Sequence, residues 1–170
     1  NADGDRIAHF LQKSANGTYT YDVKITGKKH GEKQWSAPTK LHNDTINAEH
    51  GFVSMQPYRN GDFFVSWLDG RNTASSELDG RVCDCCQTSA TMANNNPIVT
   101  YRDRSEAEVR DMSVVRFSDG AWTSPKNVYP DNWNISGCPV NGPKIVANDK
   151  LVAVVWFSAA NNAPKINLAF

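Results

Sequence analysis

The chain is patterned as short apolar segments separated by polar turns. Segments of four to seven residues rich in β-branched and aromatic side chains recur along its length: 7–11, 19–25, 63–67, 98–101, 112–117 and 151–157. Between them lie turn sequences such as Asn60-Gly61-Asp62 and Ser118-Asp119-Gly120. Segments this short, bounded by Gly, Asn and Asp, are typical of antiparallel strands. The pattern therefore predicts an all-β chain.

An internal repeat organises these segments. The sequence WSAPTKL at 35–41 resembles WTSPKNV at 122–128, an offset of 122 − 35 = 87 residues. Flanking segments correspond as well, FVSW at 64–67 with AVVW at 153–156. The 87 residues of this offset contain two units, each predicted to form one small antiparallel sheet. Units of about 40–50 residues with four strands are typical of a β-propeller.

The repeat predicts four partial blades of four-stranded antiparallel sheet. They cover approximately residues 7–41, 50–82, 86–128 and 137–170 of a single propeller fragment. The second blade is short, and Asn72–Ser76 stands where its third strand is expected. Since a closed propeller needs more blades than four partial ones, we expect a six-bladed whole, with the remaining blades as partners of this fragment.

Charge and hydropathy exclude several kinds of partner. Lys and Arg total 18, and Asp and Glu also total 18, so no net field attracts nucleic acid. The longest apolar run, 151–157, is too short to cross a bilayer, and membrane insertion is not expected.

The cysteines are the most concentrated chemistry. Cys83, Cys85 and Cys86 lie within four residues, and Cys138 lies in a later loop. The repeat places these loops at the starts of inner strands, at the channel mouth, together with Glu49 and His50. Three alternatives stay open: a Cys86–Cys138 disulfide between blades, free buried thiols, or a Zn²⁺ or copper site formed by the four cysteines with His50.

A family resemblance rests on four stretches. Phe117–Thr123 (FSDGAWT) resembles a degenerate Asp-box, and 81–90, 101–115 and 137–143 resemble the bacterial exo-α-sialidase-like group. The chain thus resembles the sialidase-like (BNR/Asp-box repeat) β-propeller family. The resemblance implies a glycoside-directed protein, either an exo-sialidase-like hydrolase or a carbohydrate binder. It also implies a carbohydrate or other small anionic ligand and an extracellular or periplasmic location.

Residues on the predicted ligand face are candidates for these roles. The candidate catalytic residues are Glu49, Tyr101 and Asp103, and the candidate substrate-binding residues are Arg71, Arg102, Arg104 and Trp133. Arginine forks would bind a carboxylate and Trp133 would stack on a sugar ring. The competing interpretations are surface ion pairs, aspartates that tie loops together and local packing.

No acidic pair or tyrosine–glutamate pair can be assigned, so the sequence leaves open whether the protein is an enzyme. Two alternatives to glycoside chemistry remain. One is a metal-binding propeller with a cysteine-rich Zn or Cu site at the channel mouth, and the other is a non-catalytic interaction scaffold.

Overall fold

The computed structural model describes residues 1–70, 77–148 and 150–170. The chain forms two compact units, unit 1 (Asn1–Ala74) and unit 2 (Ser75–Phe170). Nearly all regular structure is antiparallel strand, and the helical part is two single turns of 3-10 helix, Arg59–Gly61 and Ala160–Asn162. The all-β prediction is confirmed. Among the described residues, no helix has the length and apolar character needed to cross a bilayer.

Unit 1 contains two sheets. The first has the order β1-β2-β3, with β1 Arg6–Lys13, β2 Tyr21–Lys28 and β3 Thr39–Lys40. The second pairs β4 His50–Pro57 with β5 Phe63–Asp69. In its register His50 is opposite Asp69, and this pairing places both side chains at one end of the hairpin.

Unit 2 also contains two sheets. The first has the order β10-β8-β7-β6 with β9 paired to β8; its strands are β6 Ser89–Ala93, β7 Asn96–Arg102, β8 Met112–Ser118, β9 Ala121–Trp122 and β10 Lys126–Tyr129. The second has the order β11-β12-β13, with β11 Lys144–Ala147, β12 Val152–Ser158 and β13 Lys165–Ala169.

Two tight turns in unit 2 follow from their sequence. Asn94 and Asn95 connect β6 to β7 with φ of 48° and 62°, and Asp119 and Gly120 connect β8 to β9 with φ of 53° and 83°. Two consecutive positive φ values define the turn that matches the twist of a two-residue hairpin, and Asn, Asp and Gly tolerate them best. The stretch that resembles an Asp-box therefore contains a hairpin turn.

The core of unit 2 lies between its sheets. It is formed by buried apolar side chains from β7, β8, β11 and β12: Ile98, Met112, Ile145, Val154 and Trp156. Trp156 is 3% exposed in this core, whereas Trp35, in the loop between β2 and β3 of unit 1, is 45% exposed.

The predicted strands are confirmed, since each overlaps an observed strand of the same kind. Each sheet also overlaps one of the four predicted repeat units, and none extends beyond its unit by more than one residue. Asn72–Ser76 lies outside the described residues. Among the residues that are described, the strands close into neither a barrel nor a propeller, and the propeller stays a prediction.

Candidate functional site

The four cysteines converge in unit 2. The Sγ of Cys83 lies 3.0 Å from the Sγ of Cys86 and 3.5 Å from that of Cys85. Cys85 is joined to Cys138 by a disulfide, with 6.2 Å between the Cα atoms. Cys83 and Cys86 are free thiols. The fold thus assembles four sulfur atoms from two loops that are far apart in sequence.

The disulfide corrects one prediction. One of the three alternatives left open by the sequence was a disulfide between Cys138 and Cys86, whereas the structure joins Cys138 to Cys85. The reason is local. Cys83 and Cys86 are buried, and the backbone N–H of Cys83 donates to the carbonyl of Arg102 over 2.9 Å, whereas Cys85 is half-buried and meets the exposed Cys138.

Arg102 and a glycine hold the second loop against the first. Arg102 Nε donates to the carbonyl of Asn141 over 2.9 Å, three residues after Cys138. A Cβ built on Gly142 would overlap the carbonyl oxygen of Gln87. Only glycine permits this approach of the two backbones, and it brings Cys138 within reach of Cys85.

The cluster has a buried side and an exposed side. Cys83 and Cys86 are each 1% exposed. Cys85 is half-buried and Cys138 is exposed. A reductant or an ion therefore reaches the disulfide first, and the two free thiols lie behind it.

A buried guanidinium adjusts the charge of the cluster. Arg110 donates from an Nη atom to the Sγ of Cys83 over 3.2 Å. A hydrogen bond from the Cys86 thiol, with others from the Cys85 backbone and Arg110, lowers the pKa of Cys83 to about 6 against the opposing effect of burial. The same thiol pair and burial raise the pKa of Cys86. Cys83 is thus a thiolate at neutral pH, the form of cysteine that acts as a nucleophile and metal ligand.

Arg102 is an interior residue. It is 1% exposed and its guanidinium donates to the carbonyls of Asn141, Arg110 and Phe157 at 2.7–2.9 Å. The strand that carries it is buried on both faces over residues 97–102, so alternation along β7 does not direct it to a ligand surface.

Trp133 packs locally instead of facing solvent. It is 7% exposed, and the Arg102 guanidinium lies 4.8 Å from its ring centroid. Phe157 meets it edge to face at 5.7 Å. Arg102 and Trp133, both predicted to bind substrate, therefore form part of the interior that supports the cysteine loops.

Arg104 does not share a site with Arg102. Its guanidinium pairs with Glu108 at 3.1 Å on the partly exposed edge of the loop, as the surface ion-pair interpretation predicts. Glu108 also accepts from Arg110 at 2.8 Å, and the hydrogen bonds from both arginines lower the pKa of its carboxyl. Arg71, the third predicted arginine, lies outside the described residues.

The predicted catalytic residues of unit 2 make internal hydrogen bonds. Tyr101 is 4% exposed and donates from its hydroxyl to Asp79 over 2.6 Å; burial above all, and then this contact, raise its pKa. Asp103 accepts from the Arg104 backbone at 2.6 Å and from the Ser113 hydroxyl at 3.0 Å. It ties the loop to β8, which is the structural role that the sequence also allowed.

Glu49 and His50 lie in unit 1. The carbonyl of Glu49 accepts from Gly70 over 2.8 Å. His50 is fully buried and stacks on His42, with ring centroids 3.7 Å apart and planes 8° apart. Ligand atoms of Asp22, His42 and His50 all lie within 4.8 Å of one another. Burial lowers the pKa of His42.

Sequence reasoning missed Arg110, His42 and Asp22. Arg110 is one of several charged residues at 102–110. Nothing in the sequence shows that its side chain is buried or that its backbone N–H donates to the carbonyl of Trp133. His42 precedes Asp44 by two residues and His50 by eight, and this spacing of histidine and aspartate was the available sequence signal for a second group of metal-ligating side chains.

The chain matches no protein-family model and no curated protein.

Proposed function

We propose that this protein binds one soft or borderline metal ion, Zn²⁺ or Cu⁺, through Cys83, Cys85, Cys86 and Cys138. The observation that carries the proposal is the convergence of all four sulfurs from two loops. Thiolate sulfur is the ligand that both ions favour, and four such ligands complete a tetrahedral zinc site.

The charges around the sulfurs support binding of a cation by thiolates. Four thiolates and one Zn²⁺ leave a net negative site, which needs positive neighbours when buried. Arg110 donates directly to Cys83, and the buried Arg102 has no carboxylate within ion-pair distance in the described part of the chain. A hydrogen bond donated to a ligand atom by a neighbouring side chain, as Arg110 donates to Cys83, stabilises a metal-bound ligand.

Reduction of the disulfide is the entry step. Two electrons and two protons from a dithiol reductant convert the Cys85–Cys138 disulfide into two thiols, and the reductant leaves as its own disulfide. The ion then displaces the thiol protons as it binds. The exposed position of Cys138 gives the reductant its access.

A titration of oxidised and reduced protein tests the proposal. Protein treated with a phosphine reductant, which is then removed, is titrated with Zn²⁺ against a chromophoric chelator. We expect one additional equivalent in the reduced protein, lost in Cys138→Ser and kept in Ser136→Ala, a matched change in the same exposed loop. Equal binding by both redox states, or undiminished binding by Cys138→Ser, would overturn it.

The propeller is part of the same proposal. Four successive antiparallel sheets, each overlapping one repeat unit, are what a row of blades would contain. In that architecture the cysteine loops precede inner strands and open at the channel mouth.

Glycoside-directed activity remains a second proposal, favoured by the hairpin geometry of the Asp-box at Phe117–Trp122. It receives less support from its predicted ligands, because Arg102, Trp133 and Tyr101 are interior. Turnover of a fluorogenic sialoside by the protein, insensitive to cysteine substitution, would favour this function over metal binding.

A further inference from the structure

Unit 1 contains a second cluster of metal-ligating side chains, with a different chemistry from the cysteines. We infer that Asp22, His42 and His50 form a site for a divalent transition-metal ion such as Zn²⁺. The three residues come from separate elements: Asp22 from β2, His42 from the loop after β3, and His50 from the start of β4. Two imidazoles and one carboxylate suit borderline divalent ions.

In both histidines a hydrogen bond engages Nδ1 and leaves Nε2 available to bind an ion. His50 Nδ1 donates to the carbonyl of Tyr21 over 2.9 Å, and His42 Nδ1 donates to the Asp44 carboxylate over 2.5 Å. A carbonyl or carboxylate can only accept, so the proton of each ring lies on Nδ1. Such contacts fix the tautomer and orientation of metal-binding histidines, leaving the Nε2 lone pair for the ion.

Neither of these Nε2 atoms makes a hydrogen bond. Both are buried, and the side chains of His42 and His50 are 1% and 0% exposed. Buried polar atoms without a partner are rare in native proteins and destabilising. This is the observation that points to a missing ligand at the site.

The distance between His42 Nε2 and Asp22 Oδ1 fits two ligands of one metal ion better than it fits a hydrogen bond. His42 Nε2 lies 3.4 Å from Asp22 Oδ1. Two ligands that each lie about 2.1 Å from one tetrahedral ion are about 3.4 Å apart. An unprotonated Nε2 facing a carboxylate oxygen is repulsive unless a cation lies between them.

Protonating both rings is an unfavourable way to relieve this repulsion. The two rings stack at 3.7 Å, and two imidazolium charges so close would repel each other. Asp44 and Asp69 oxygens lie 3.6 and 3.5 Å from His50 Nε2, and Lys24 Nζ lies 3.8 Å from Asp22. Among the described residues, the charges around the two rings are predominantly anionic, which favours a bound cation. Since each lone pair lies in its ring plane, the rings tilt out of their stack when both bind one ion.

Cobalt titration of a background without free thiols separates this site from the sulfur cluster. The protein carries Cys83→Ser and Cys86→Ser with the Cys85–Cys138 disulfide intact, so it offers no thiolate. We expect one equivalent of Co²⁺ to bind with ligand-field bands and no sulfur charge-transfer band. We also expect added Zn²⁺ to displace it and raise the melting temperature.

Substitutions identify the ligands. His50→Gln, His42→Gln and Asp22→Asn should each weaken Co²⁺ binding at least tenfold, whereas His9→Gln, at an exposed histidine of β1, should leave it unchanged. Circular dichroism checks that each variant is folded, and Asp22→Asn serves as the mildest change. Failure to bind Co²⁺, binding that survives all three substitutions, or histidine NMR shifts showing protonated Nε2 atoms that Zn²⁺ does not alter would overturn the inference.

Discussion

The Arg110 guanidinium donates a hydrogen bond to the Cys83 sulfur over 3.2 Å, with Arg110 itself only 3% exposed. A buried charge beside a thiol favours the thiolate, since it replaces the solvation that burial removes. Arg110 is fixed in turn by Glu108, 2.8 Å from its other Nη atom, and by its backbone bond to Trp133. The loop that follows β7 therefore supplies the positive charge, that of Arg110, which stabilises a thiolate in the cysteine cluster.

The lowered pKa of Cys83 predicts a pH-dependent stability. The folded thiol titrates near pH 6 and the unfolded thiol near its ordinary value of 9.0. Between these values the unfolded chain binds more protons, so the free energy of unfolding rises with pH across this window and the contribution is lost below about pH 6. Urea unfolding of metal-free protein over this range should show the rise, and Cys83→Ser should lack it.

Arg110→Gln provides the control for that profile. Without the guanidinium, the pKa of Cys83 moves back toward its ordinary value and the pH window narrows from its acidic side. Identical profiles for the parent protein, Cys83→Ser and Arg110→Gln would show that Cys83 is not a stabilised thiolate.

Replacement of Arg102 by alanine should lower the free energy of unfolding more than replacement of Arg104. Arg102→Ala leaves three interior carbonyls without their donor and removes the contact with Trp133, for a loss of about 3 kcal/mol. Arg104→Ala removes a partly exposed ion pair, which costs less than about 1 kcal/mol. Chemical unfolding of both variants measures the difference. Equal stability with a shared loss of ligand binding would instead favour the arginine ligand site expected from sequence.

Asp111 holds the loop that carries Trp133. Its two oxygens accept from the backbone N–H groups of Asn132 and Trp133 at 2.9 and 3.0 Å, and its side chain is buried. Asp111→Ala should destabilise the protein by about 3 kcal/mol, and Asp111→Asn, which keeps one acceptor oxygen, by about half of that. Asp119→Asn, in the exposed β8–β9 turn, should unfold at the same urea concentration as the parent protein.

Gly142 should be required for the cysteines to meet. In Gly142→Ala the new methyl group overlaps the Gln87 carbonyl, so the two loops must separate, at a cost of about 1–3 kcal/mol. Thiol counting on the unreduced protein should then find more than two free thiols in part of the sample. Gly137→Ala is the matched control, because its Cβ would meet only Ile135 at 3.9 Å. A Gly142→Ala protein with parental stability and thiol count would contradict this packing.

The sequence predicted the strands because their signals are local. The Asn94-Asn95 and Asp119-Gly120 turns and the apolar segments between them depend on neighbouring residues alone. The meeting of Cys138 with the cluster at 83–86 was also foreseeable, since the repeat aligns their loops. Which cysteine pairs with Cys138 was not, because the burial of Cys83 and Cys86, which leaves Cys85 as the partner, cannot be read from their adjacent positions in the sequence.

Arg102 is interior instead of on the expected ligand face for a different physical reason. Strand alternation separates an inner face from an outer one only when one face is solvated, and β7 is buried on both. The sequence therefore could not predict which arginine side chain is buried. The interior Arg102 and the ion-paired Arg104 differ only in their contacts, which the structure shows.

X-ray absorption at the zinc edge tests the central claim most directly. The sample is reduced protein carrying His50→Gln, which leaves the cysteine cluster as the only proposed site, loaded with one equivalent of Zn²⁺. Four sulfur neighbours at about 2.3 Å are the predicted result. A shell of nitrogen and oxygen at about 2.0–2.1 Å, without sulfur, would contradict the assignment of the four cysteines as a metal centre.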